Sequence, residues 1–105
     1  MILDFENIRT SKESQVFSGR RRGEACRKKF DLERLDRLPG TVEVHIPADT
    51  YSVNSAFFLG CFGESVRALG KERFFNKYIF VCSDVILEEF LRYADIALKN
   101  AIPLG

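Results

Sequence analysis

One stretch limits what this chain can become more than any other. Asn54 to Gly70 reads Asn-Ser-Ala-Phe-Phe-Leu-Gly-Cys-Phe-Gly-Glu-Ser-Val-Arg-Ala-Leu-Gly. Phe58, Phe62, Val66 and Leu69 recur at spacings of four, four and three, the period of one helix face. Phe57, Leu59 and Cys61 widen that stripe until the first two turns are apolar nearly all round. Such a helix needs cover on most sides, so the rest of the chain must be built around it. Gly60 and Gly63 interrupt it, each at a cost of about 1 kcal/mol in helix propensity relative to Ala. They predict close approach of the backbone to a strand or a neighbouring helix. Gly70 is placed to end the helix.

The flanking segments supply the cover. Thr41 to Ile46 alternates, with Val42, Val44 and Ile46 on one face and Thr41, Glu43 and His45 on the other. That pattern predicts a strand packed on one face and partly wet on the other, hence helices mainly on one side of the sheet. Lys77-Tyr-Ile-Phe-Val-Cys82 is apolar on both faces and is expected to be the central strand. Ser83 caps a last helix whose buried side carries Ile86, Phe90 and Ala97 with Leu87, Leu91, Ala94 and Leu98, and Pro103 stops it.

Earlier in the chain, Ile2 to Ile8 and Gln15 to Phe17 read as short strands about a polar turn from Arg9 to Ser14. The two pair as a hairpin, or only one joins the sheet. Ser18 to Gly23 reads as a loop, and Glu24 to Phe30 as a helix with Cys26 and Phe30 on one face. Asp31 caps a continuation in which Leu32, Leu35 and Leu38 face the core, up to Pro39-Gly40. Strands alternating with helices imply parallel pairing through crossovers. The expected class is α/β, a small mostly parallel or mixed sheet with helices mainly on one face, in the order βαβαβα.

The 105 residues suit a single domain, and ten Phe furnish its core. A net charge of +1 argues neither for nor against a nucleic-acid partner. No apolar run is long enough for a membrane span, and the first residues turn acidic too soon for a signal peptide, so a cytoplasmic protein is expected. Cys26, Cys61 and Cys82 form no Cys-x-x-Cys pair. They read as buried free thiols in a reducing compartment, with no zinc spacing and no cofactor expected.

Three groups of residues are candidates for chemistry. Ser52, Asn54 and Ser55 lie where the central helix begins, so they either cap it or meet a phosphate or a partner. Arg20, Arg21, Arg22 and Arg27, with Lys28 and Lys29, form a basic stretch opposed by Glu24 alone. It is a solvated loop, an anion site, or a non-specific nucleic-acid contact. The absence of interleaved aromatic residues disfavours nucleic acid. His45 and Glu43 share a strand face, either as exposed polar residues or as an acid–base pair. No hydrolase elbow, phosphate loop or dinucleotide fingerprint is present, and no enzyme activity is expected.

Gly19-Arg20, then Gly23-Glu24 and Arg27, then Ser55-Ala-Phe-Phe-Leu-Gly60 with Phe62-Gly63, resemble the STAS-like domain family of unknown function. These are small prokaryotic domains related in pattern to the STAS domains of anti-sigma-factor antagonists. The resemblance runs from Phe17 to Lys99. It implies an α/β regulatory domain that binds a protein partner of the histidine-kinase-type ATPase class. It also implies that Ser55 stands at the phosphorylated switch serine, with Asn54 in place of a first serine. The aspartate and glycine of that family's element are missing here. A homodimer is left open by the N-terminal strands and an exposed edge.

Overall fold

The computed structural model describes residues 1–9 and 16–99. The expected turn at residues 10–14, Gln15 at the head of the second strand, and the Pro103 stop lie outside them. Ile2–Asp4 forms β1 and runs into a 3₁₀ turn, Phe5–Ile8. Then follow β2 (Val16–Phe17), α1 (Arg20–Phe30), α2 (Leu32–Leu35), β3 (Val42–His45) and β4 (Ser52–Val53). The chain continues with α3 (Ser55–Leu69), α4 (Lys71–Lys77), β5 (Tyr78–Val81) and α5 (Asp84–Lys99). The protein is α/β, with a small parallel sheet and five helices among the described residues.

β1, β3 and β5 pair in that order, all parallel, with Leu3 beside Val44 and Val44 beside Phe80. β2 and β4 form a separate parallel pair, Val16 beside Ser52 and Phe17 beside Val53. The hairpin alternative for the first two strands is therefore excluded: β1 joins the main sheet, whereas β2 leads into α1. β5 is an edge strand and β3 lies between its neighbours, which reverses the expected placement. The apolar run misled because only Tyr78 of β5 is fully buried. Ile79 and Val81, 42% and 44% exposed, share the open face with Glu43.

Two further corrections come from the helices. α1 begins at Arg20 rather than Glu24, because Gly23 is a helical contact residue and not a loop glycine. α4 follows α3 directly after Gly70, whose φ of +84° turns the chain; it buries Phe74. Seven residues give too short a period to be read as a helix from sequence. Leu32 and Leu35 are buried as expected, but Leu38 is 42% exposed.

Phenylalanines knit these layers together. Phe62 of α3 stacks on Phe5 at 6.0 Å and meets Phe58, Phe74, Tyr78 and Phe80 within 6.0 Å between ring centroids. Phe58 in turn touches Phe90 at 5.0 Å and Tyr93 at 5.7 Å, which ties α5 to the same centre. Such offset and edge-to-face pairs add to the area term of burial and favour one arrangement of the core. α3 is thus the hub that its sequence demanded.

Candidate functional site

α1 and α3 lie side by side and run in the same direction. A Cβ at Gly23 would collide with the Phe57 carbonyl oxygen and come within 3.0 Å of the Cys61 amide nitrogen. At Gly60 it would collide with the Arg20 carbonyl oxygen and come within 3.1 Å of the Glu24 amide nitrogen. The two backbones therefore touch, and this is the close approach that the glycines of α3 predicted. Gly63 takes no part in it: a Cβ there would meet first the flexible Arg67 side chain, at 3.4 Å.

The helix starts are joined by one residue. The Asn54 side-chain oxygen accepts from the Phe57 amide at 2.9 Å, which caps α3, and from the Gly19 amide at 3.4 Å, at the head of α1. The Asn54 amide donates to the Phe17 carbonyl at 2.9 Å, continuing the β2–β4 pairing. From the other side, the Tyr93 hydroxyl donates to Glu89 at 2.7 Å and lies 3.2 Å from the Val53 carbonyl. Burial first, and then the Glu89 carboxylate, push this phenol up to about 12.

Ser52 and Ser55 are half-buried and Asn54 is exposed. Because Asn54 supplies the cap, the Ser55 hydroxyl is not spent on it. Ser55 makes no side-chain hydrogen bond among the described residues. Arg20 and Arg21 are exposed and Arg22 is half-buried, all in the first turn of α1, which contains no acid. Cations there oppose the positive end of the helix dipole, at roughly 0.3–1 kcal/mol each. Ser55 and Arg20 to Arg22, far apart in sequence, thus come from adjoining helix starts.

Arg27 does not join them. Its guanidinium, with the side chain 12% exposed, donates to the Cys61 carbonyl at 3.0 Å, Ser65 Oγ at 2.8 Å and Asp36 at 3.1 Å. Asp36 also accepts from Ser65 at 2.8 Å and from the Tyr78 hydroxyl at 2.6 Å. Burial, followed by the hydrogen bond to Asp36, holds the Tyr78 phenol far above its ordinary range. This network ties α1, α3 and β5 together inside the fold. Sequence reasoning missed Ser65, Asp36 and Tyr78 as a group. The available signal was Ser65, a polar residue inside a helix that had to be buried.

His45 and Glu43 come no closer than 3.9 Å, beyond hydrogen-bond reach, and His45 Nε2 has no hydrogen-bond partner among the described residues. Among the described residues no group of three or more His, Cys, Asp or Glu is placed to hold a metal ion. No described helix is long and apolar enough to cross a membrane. No family model matches the chain, and neither a curated protein nor a solved structure matches it.

Proposed function

We propose that the chain is a non-enzymatic regulatory domain that binds a protein partner through the paired starts of α1 and α3. The observation that carries this reading is the junction at Asn54, which holds Gly19 and Phe57 from two helix starts, one running into Arg20 to Arg22 and the other opening on Ser55. A helix start with unspent amides favours a negative group, and the neighbouring Arg20 and Arg21 strengthen that preference. Phosphorylation of Ser55 would bring about two negative charges to this place and pair them with those guanidiniums. The resemblance to STAS-like domains points the same way and names a histidine-kinase-type ATPase as the partner class. The one-sided burial of the sheet suits that βαβαβα family arrangement.

The test is capture of partners from the native host by the wild-type chain, with phosphoserine mapping. Ser55→Asp should change the amount of captured partner while circular dichroism stays the same. Unchanged capture with both Ser55→Asp and Ser55→Ala would remove Ser55 from the interface.

A second reading has its own observation: three arginines in one helix turn with no acid among them. They suit an anion or the phosphates of a nucleic acid, and a salt titration separates that case. Binding through several phosphates weakens steeply between low and physiological salt. No binding of a labelled oligonucleotide at low salt would dismiss it.

A further inference from the structure

We propose that Cys26 and Cys61 form a hydroperoxide-reactive dithiol: Cys26 meets the oxidant, and Cys61 resolves it into a disulfide that links α1 to α3. The proposal does not rest on the partner-binding reading, although its cleft borders that surface at Arg22 and Phe57. The chain has no Cys-x-x-Cys motif, yet the parallel approach of α1 and α3 sets the two sulfurs 3.3 Å apart, both as free thiols. The glycine contacts make that proximity unavoidable. Gly23 and Gly60 bring the backbones together, and the two cysteines lie on the touching faces.

Both thiols are buried, Cys26 at 2% exposure and Cys61 at 0%, and of the two it is Cys26 that borders a cleft. Cys61 is fully buried, and its thiol donates to the Cys26 sulfur. Burial and the Cys26 contact push the Cys61 thiol up, so it keeps its proton at neutral pH. Cys26 instead lines a cleft of about 320 Å³ between the 3₁₀ turn and α1. Ile8 and Phe57 line the cleft with it, together with Arg22 and Lys29, and no carboxylate among the described residues does. The cleft brings a small hydroperoxide up to the Cys26 sulfur in an electropositive setting, which favours a reactive cysteine. Cys82 offers a contrast inside the same chain. It is half-buried beyond β5, and burial together with Asp84 raises its thiol.

The chemistry balances with one hydroperoxide. The Cys26 sulfur attacks a peroxide oxygen; the S–O bond forms and the O–O bond breaks. With hydrogen peroxide the departing hydroxide takes up the proton lost by Cys26 and leaves as water. The Cys61 sulfur then attacks the Cys26 sulfenic acid; the S–S bond forms and the S–O bond breaks. That hydroxide takes the Cys61 proton, giving a second water. Two electrons pass from the sulfurs to the peroxide. Closing the gap to a bond of about 2.05 Å falls on side-chain rotation, since the backbones have no room to approach.

The experiment treats the folded Cys82→Ser chain with hydrogen peroxide, then unfolds it in an alkylating agent and weighs it. The expected product has lost two hydrogens and both alkylatable thiols, regains them with dithiothreitol, and maps to a Cys26–Cys61 peptide pair. Cys61→Ser should instead leave a dimedone-reactive sulfenic acid at Cys26, and Cys26→Ser should leave Cys61 unreacted. Should the serine variants fail to fold, peptide mapping of the peroxide-treated wild-type chain decides the matter. Both thiols surviving in the folded protein, Cys82 reacting first, or sulfinic acid appearing without a disulfide would each overturn the assignment.

Discussion

The two helices that lie against each other begin in opposite ways. α3 starts with an Asn54 side-chain cap and runs at once into Phe57 and Phe58, both buried. α1 starts at Gly19 without a side-chain cap of its own and carries three arginines against its dipole. α3 is therefore explained by local sequence and burial together. α1 has little local reason to begin where it does. It begins there because Gly23 fits against α3 and because Asn54, a residue of the other helix start, accepts the Gly19 amide. A terminus assembled by tertiary contact against its local electrostatics is a reasonable place to look for binding. Arg20 and Arg21 are exposed and add little to the core.

The comparison can be broken most severely at the far end of α1. Asp36→Ala removes the nearer carboxylate of the Arg27 guanidinium, 12% exposed, and leaves it only the exposed Glu64 at 3.6 Å. The expected loss is about 3–5 kcal/mol of unfolding free energy, read from urea denaturation. Gly60→Ala forces the backbones apart and should cost about 3 kcal/mol, by the overpacking it imposes on Arg20 and Glu24. Gly63→Ala is its control: it meets side chains alone, Arg67 at 3.4 Å and Leu59 Cβ at 3.8 Å, and should be neutral or stabilise by up to about 1 kcal/mol. Equal effects at the two glycines would mean that helix propensity, not contact, governs both.

Asn54→Ala should cost about 1–2 kcal/mol. Amide exchange should quicken at Phe57 and at Gly19 together, since one side chain serves both. Faster exchange at Phe57 alone would separate the two helix starts. Tyr93 sharpens the same point through pH. Its folded pKa, about 12, lies above the ordinary phenol value of 10, so the neutral form is the one that the fold prefers. Its contribution is fully present below pH 10 and is lost as the pH rises from 10 towards 12. Unfolding free energy measured over that window should fall less in Tyr93→Phe than in the wild type. The smallest effect is expected at Arg21→Glu. It should stabilise the fold by about 0.5 kcal/mol at low salt, with the gain vanishing as salt rises, while weakening anion or partner binding.

Much of this arrangement was legible in the residues. The alternation at Val42, Val44 and Ile46 predicted which face of β3 is buried, and all three are at most 6% exposed. Asn54 or Ser55 was read as the start of α3, and Asn54 proved to be its cap. The errors share a cause. Gly23 carried a loop signal and was a contact glycine, because only the neighbouring helix distinguishes those roles. The apolar face of β5 read as central and was an edge, because a strand's own residues do not say how many neighbours it has. Lys71–Lys77 was passed over because a seven-residue helix has too few periods to announce itself.

By itself the sequence determined that α3 is the buried hub, where it is capped and where it stops. Side-chain period, capping chemistry and glycine are properties of neighbouring residues along the chain. Only the tertiary structure decided that Arg27 is locked to Asp36, that Cys26 faces Cys61, and that one Asn54 side chain joins the starts of α1 and α3. The last two depend on two parallel helices meeting at Gly23 and Gly60. That meeting joins residues some 35 positions apart, a separation over which no local pattern carries information.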